Sequence, residues 1–308
     1  MDGRESLISA GASAATRNKR FIVWFFLLNL LLAWFGAAAF TANARSILDH
    51  SLYADKLLHG FDLAVFLEMI RRPEFGSARS STAPSTLCAI LFLLASLLFM
   101  PGVLLGYSSD HRISREEFFR ACGHNLWRFV RLFVFYALIA GITAGILFGI
   151  QGALVTAVDD AANDDRLLFL TKALSIVAIF LISTAIRAWF DIAQTDAVLR
   201  DQTAVRRSIT WAFRTTRRNI GSLLGTYILI AVLGLIVITA GIVIWHAIVP
   251  PSSVLGAFLV SQATLLLLLT MRFWQRASAV AFCVRQAADF VLPVREPASL
   301  EVLVISKS

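Results

Sequence analysis

The chain has 308 residues, 58% of them hydrophobic and 16% charged, with a formal charge of +8 and a mean hydropathy of +0.74. A soluble domain carries about 25% charged residues, so the composition argues against a soluble enzyme and for one membrane domain. In such a chain the excess of Lys and Arg reports orientation across a bilayer rather than a nucleic-acid partner.

Phe21 to Ala44, Ser80 to Ser109 and the stretch between Arg131 and Asp159 contain no charged residue. Each can cross a hydrocarbon core, which takes roughly 20 apolar residues as helix. Charges and prolines divide the apolar sequence into six expected spans, about 21–43, 85–107, 130–151, 167–189, 220–247 and 253–273. The predicted fold is all-α: a polytopic bundle of six transmembrane helices over 21–292, with a cytoplasmic N-terminal segment 1–20 and a cytoplasmic tail 293–308.

The first span follows Arg17, Lys19 and Arg20 and ends near Ala42-Asn43-Ala44, a pattern that resembles a signal peptide. Its apolar run exceeds the usual h-region of about 7 to 15 residues, so it is read as a retained span. Residues 46–73 alternate Leu48, Leu52, Leu58, Phe61, Val65 and Met69 with acidic residues, which predicts one or two amphipathic helices on the outer leaflet. In the second span Pro101-Gly102 frees backbone groups and predicts a static kink. Ser114-Arg115-Glu116-Glu117 fits a capping box, with serine and glutamate each able to satisfy a free amide at a helix start. Phe118, Phe119, Cys122, Leu126 and Trp127 then give an interfacial helix its apolar face.

Gly141, Gly145 and Gly149 in the third span, and Gly221 and Gly225 in the fifth, form small-residue faces expected to pack within the bundle. The acidic turn Asp159 to Asp165 lacks the ligand pattern of a calcium loop. A second interfacial segment, 191–218, mixes Ile192, Val198, Leu199, Ile209, Trp211 and Phe213 with six arginines, a composition attracted to anionic headgroups. Pro250-Pro251 breaks the last uncharged run into the fifth and sixth spans, and in the polar tail only Val302 to Ile305 could form a strand.

With the N-terminus placed in the cytoplasm, 21 of the 28 Lys and Arg residues fall on that side and 7 on the other. This asymmetry predicts both termini inside. Trp24, Trp127, Trp189, Trp211 and Trp274 fall at the same inner interface, where amphipathic rings belong.

Self-comparison suggests a repeated unit. Tyr136 to Ala140 matches Tyr227 to Ala231, and Arg187-Ala188-Trp189 followed by Arg200 matches Arg272-Phe273-Trp274 followed by Arg285. Arg17-Asn18 before the first span echoes Arg218-Asn219 before the fifth. Two or three hairpins in parallel orientation are expected.

Candidate sites are few. Asn29 and Gln262 are the polar residues nearest mid-bilayer and are expected in interhelical hydrogen bonds, with a substrate contact as the sharper alternative. Arg187, Trp189, Arg272 and Trp274 sit at the inner interface as expected contacts to a lipid headgroup or a partner protein. Cys88, Cys122 and Cys283 read as isolated thiols. No His-Glu-x-x-His, Gly-x-Ser-x-Gly or phosphate-binding glycine loop occurs, so neither catalytic nor cofactor residues are assigned.

Leu57-Leu58-His59-Gly60-Phe61-Asp62, Phe190-Asp191-Ile192-Ala193 and the Arg-rich stretch into Asn219 resemble a loose group of bacterial six-helix membrane proteins without an assigned function. The resemblance implies a fold and a bacterial inner membrane, and it carries no functional residues. The expected function is a non-enzymatic membrane component, a permease-like subunit or a scaffold that docks a cytoplasmic partner through basic inner helices. A self-contained transporter of a small or lipidic molecule, with Asn29 and Gln262 near its site, is the alternative. A lipid-modifying enzyme is the third reading.

Overall fold

The computed structural model describes residues 6–48, 64, 67, 71, 78–109, 111–161, 165–202, 204–250 and 253–290. Most of the amphipathic segment expected over 46–73, the centre of the acidic turn and the tail with Val302 to Ile305 lie outside these residues. The described helices are α1 (Leu7–Arg17), α2 (Lys19–Leu48), α3 (Ala78–Ser108), α4 (Arg115–Ala161), α5 (Asp165–Leu199), α6 (Val205–Arg218), α7 (Ile220–Ile248) and α8 (Val254–Phe290). Six of them are long and apolar enough to cross a membrane: α2, α3, α4, α5, α7 and α8.

These six form three hairpins, α2/α3, α4/α5 and α7/α8. The second helices, α3, α5 and α8, pack pairwise against one another at the centre. Each first helix lies against its own partner and one more central helix: α2 against α3 and α8, α4 against α5 and α3, α7 against α8 and α5. The bundle is therefore a central triangle with three helices set into its outer grooves.

Helix lengths explain where the core lies. α4 has 47 residues, roughly 70 Å at about 1.5 Å per residue, more than twice a hydrocarbon core of about 30 Å. Its first turns therefore extend past the hydrocarbon at the end of the bundle that carries most arginines, here called the basic end. There Phe118, Ala121, Cys122, Asn125, Phe129 and Leu132 recur at three- and four-residue steps and are all buried. The same end holds Phe21, Phe25, Val103, Leu104, Phe273, Ala277 and Val280 in one buried cluster, and Ile192, Ala193, Ala197, Ala212 and Leu223 in a second. At the far end Ile142, Ile146, Phe169 and Leu174 are exposed, since lipid tails solvate leucine as well as another helix does.

The glycine faces follow that division. A Cβ added at Gly141, Gly145, Gly149, Gly221 or Gly225 meets nothing within 4 Å, so these glycines do not pack within the bundle as expected. Gly102 is the close approach instead. A Cβ there would stand 2.6 Å from the Phe118 ring and 2.9 Å from Cys122 Sγ, and α3 runs as continuous helix through Pro101.

Two amphipathic helices complete the basic end. The N-terminal segment contains α1, capped by the Ser6 hydroxyl, which accepts from Ser9 N at 3.2 Å, and this helix packs along α8. Residues 191–218 divide, because α5 continues to Leu199 and only α6 is separate, packed along α5. Likewise, the first interfacial helix is the start of α4. Its capping box forms, with Glu117 N donating to Ser114 Oγ at 3.1 Å and Ser114 N to Glu117 Oε2 at 2.8 Å.

Both short helices end on an asparagine that bonds back one turn. Asn18 Nδ2 donates to Ala14 O at 3.3 Å and to Gly106 O of α3 at 3.1 Å, while Asn219 Nδ2 donates to Thr215 O at 3.0 Å. Trp189 and Trp274 hold them in place: Trp189 Nε1 donates to Ile209 O of α6 and Trp274 Nε1 to Ile8 O of α1, each at 2.9 Å. Trp189→Phe and Trp274→Phe should each cost about 1 kcal/mol and locally raise amide hydrogen exchange, in α6 for the first and α1 for the second. Unchanged exchange in the cognate helix would contradict this anchoring.

Candidate functional site

Above the basic-end core, a cavity of about 410 Å³ opens between α2, α3, α4, α5 and α8. Its charge comes from two helices. α5 supplies Arg187 and Asp191, four residues apart, with the neutral Gln194 three further on, and α8 supplies Arg272 and Arg276, four apart. Such spacing puts each set on one helix face. Asn29 of α2, Ser96 of α3 and Tyr136 of α4 add neutral polar groups, and Phe92, Leu93, Leu97, Leu265 and Leu269 form an apolar wall.

Asp191 organises the charged end. Its Oδ2 accepts from Tyr227 Oη of α7 at 2.8 Å, and its Oδ1 stands 3.9 Å from Arg276 Nε. The carboxylate side chain is 9% exposed and that of Arg276 16%, so the charges are mutually compensated away from water. Gln275 Nε2 donates to Tyr227 O at 3.1 Å and ties α8 to α7 behind the pair. Arg187 and Arg272 have no ion pair or hydrogen bond among the described residues, and Arg187 Nη2 is buried without a partner. Three guanidiniums against one carboxylate leave a local excess of two positive charges facing the cavity.

The residues singled out from sequence separate. Arg187, Arg272 and Asn29 line the cavity. Gln262 lies off it, with Oε1 buried and unpartnered, and neither Asn29 nor Gln262 makes the expected interhelical hydrogen bond among the described residues. Trp189 and Trp274 serve the short helices and not the cavity. Asp191, Gln194, Arg276 and Tyr136 went unrecognised as site residues. Their signal was present, since the 85-residue offset relating Arg187 to Arg272 also relates Asp191 to Arg276. Equivalent positions in the two matched segments thus carry opposite charges that face each other.

Outside the cavity, Asp201 in the α5–α6 connection joins that loop to α4. Its carboxylate accepts from Arg128 Nη1 and contacts His124 Nε2 at 3.0 Å, and its backbone has φ of 50°. The Arg128 guanidinium, and after it His124, holds the carboxyl below the ordinary aspartate range. A carboxylate held low stabilises the folded state above its unfolded-state pKa, and that contribution disappears as pH falls through the folded value. Melting temperature in detergent should therefore drop below the ordinary aspartate value of 3.8, and less steeply in Asp201→Asn, since asparagine tolerates the positive φ. Parallel acid profiles for the two proteins would show that the clamp contributes nothing.

No family model, curated protein or solved structure matches this chain. Six apolar helices, five of which line an arginine-bearing cavity, define its class as an integral, multi-pass membrane protein.

Proposed function

We propose that this protein is a self-contained, non-enzymatic membrane carrier whose cargo is a small or lipidic anion. The observation that carries this reading is the cavity in which three guanidiniums face one carboxylate beside an apolar wall, with Arg187 Nη2 buried and unpartnered. Convergent polar groups in a largely apolar cavity are the usual form of a small-molecule site. The Lys and Arg asymmetry supports an orientation with the basic end and both termini in the cytoplasm, and the family resemblance implies a bacterial inner membrane. The central triangle, with each first helix wedged between two second helices, supports three parallel hairpin repeats about a pseudo-threefold axis.

Reconstitution in liposomes tests the carrier. Wild-type protein should accelerate transbilayer movement of a fluorescent anionic lipid, and Leu269→Trp, which fills the cavity, should abolish the gain while melting normally. Equal rates for both proteins and for empty liposomes would rule the carrier out.

One observation favours the docking scaffold as a second reading. Arg206, Arg207, Arg214, Arg217 and Arg218 are all exposed on α6, a row suited to anionic headgroups or an acidic protein surface. Recovery of one constant soluble protein by mass spectrometry, without lipid movement in liposomes, would select it.

A further inference from the structure

We infer that the cavity is a phosphomonoester site, holding the dianionic headgroup of a lipid between Arg187 and Arg272 with the chains directed toward the bilayer midplane. This rests on the carrier reading and narrows its cargo.

Charge selects the headgroup. Asp191 is the one carboxylate lining the cavity among the described residues, 3.9 Å from Arg276 Nε, so three guanidiniums share one counter-charge and two positive charges are left for the ligand to neutralise. Buried charge without a counter-charge is costly. A carboxylate or phosphodiester brings one negative charge and leaves one guanidinium uncompensated. A phosphomonoester brings about −1.5 to −2 near pH 7, with three acceptor oxygens. Guanidinium forks bind phosphate oxygens bidentately, and two forks supply enough donors for all three. Asp191 also sets the upper limit, because it neutralises the third arginine and repels additional anion from that side.

Polarity along the cavity selects a lipid over free phosphate. On α8 the lining residues run Leu265, Leu269, Arg272, Arg276 toward the basic end, a distance of about 16 Å at about 1.5 Å per residue. On α3, Phe92 and Leu93 stand on the same far side. Cationic below and apolar above, the cavity has the polarity of a lipid in the leaflet at the basic end. A free phosphate would leave the apolar part unused. A volume of about 410 Å³, near the low end of ligand pockets at about 300–1,000 Å³, accommodates the headgroup and first chain segments, so the remaining chain extends among the helices.

Equilibrium binding to the purified full-length protein in neutral detergent tests the inference. The probes are phosphatidic acid, phosphatidylglycerol and a fatty acid of matched chain length, with glycerol phosphate as the chain-free arm. Phosphatidic acid should bind at least about tenfold more tightly than the other three, and Arg187→Gln or Arg272→Gln should weaken it about ten- to a hundredfold. Asp191→Asn, which releases Arg276, should strengthen it. That gain cannot come from misfolding.

Equal affinity for the three lipids, still lost in Leu269→Trp, would overturn the phosphomonoester assignment and leave the carrier standing. Glycerol phosphate binding as tightly as phosphatidic acid would overturn the lipid assignment. No binding of any probe would overturn the inference and the carrier reading together.

Discussion

Asp191→Leu is expected to destabilise the protein by about 3–5 kcal/mol, the usual result of removing one partner from a buried ion pair. The substitution deprives Tyr227 Oη of its acceptor at 2.8 Å and leaves the Arg276 guanidinium, 16% exposed, without its counter-charge. Adding Arg276→Met should restore part of the loss, because an apolar pair of similar volume can replace a buried salt bridge at little net change, while Tyr227 Oη stays without its acceptor. Arg276→Met alone should destabilise less than Asp191→Leu, since Tyr227 Oη still donates to the carboxylate and Arg187 and Arg272 line the same cavity. Denaturation of the four proteins in one detergent forms a double-mutant cycle, and additive effects would show that Asp191 and Arg276 do not depend on each other.

A second large effect concerns position along the bundle. Phe273→Ala should cost about 3–5 kcal/mol and Leu132→Ala about 2–5 kcal/mol, as for large-to-small changes in a packed core. Phe273 is 1% exposed and meets the Phe25 ring edge-on at 5.1 Å, and Leu132 is 0% exposed. Ile142→Ala, ten residues further along α4 and 55% exposed, should change stability by less than about 0.5 kcal/mol. The contrast follows from solvent: basic-end side chains exclude water from one another, whereas Ile142 exchanges lipid contacts for lipid contacts. Comparable losses at Leu132 and Ile142 would contradict a core confined to the basic end.

The spans were legible because an uncharged run long enough to cross a bilayer has few other meanings, and each of the six lies within an observed helix to within one residue. Ser114 and Glu117 were legible because a capping box is local, complete within four residues. Helix ends were not. Arg115 and Leu199 belong to long continuous helices because turns beyond the hydrocarbon find a buried stripe to pack on, and hydropathy is blind to that packing.

The site was half legible. Arg187 and Arg272 stood out at matched positions, but the same asymmetry suggested that they anchor the bundle to headgroups. Only the triangle of α3, α5 and α8 turns both toward a shared cavity. Asp191 and Arg276 look like ordinary inner-surface charges until their helices meet. Trp189 and Trp274 misled for the opposite reason, since an interfacial tryptophan suggests lipid, yet the indole N–H of each is used by the backbone of a short helix.

The most direct measurement is native mass spectrometry of the protein extracted from membranes in mild detergent, comparing wild type with Arg187→Gln/Arg272→Gln. Wild type should retain an anionic lipid through delipidation, and the double variant, equally folded, should lose it. Identical lipid retention by both proteins would contradict an anion site at these two arginines.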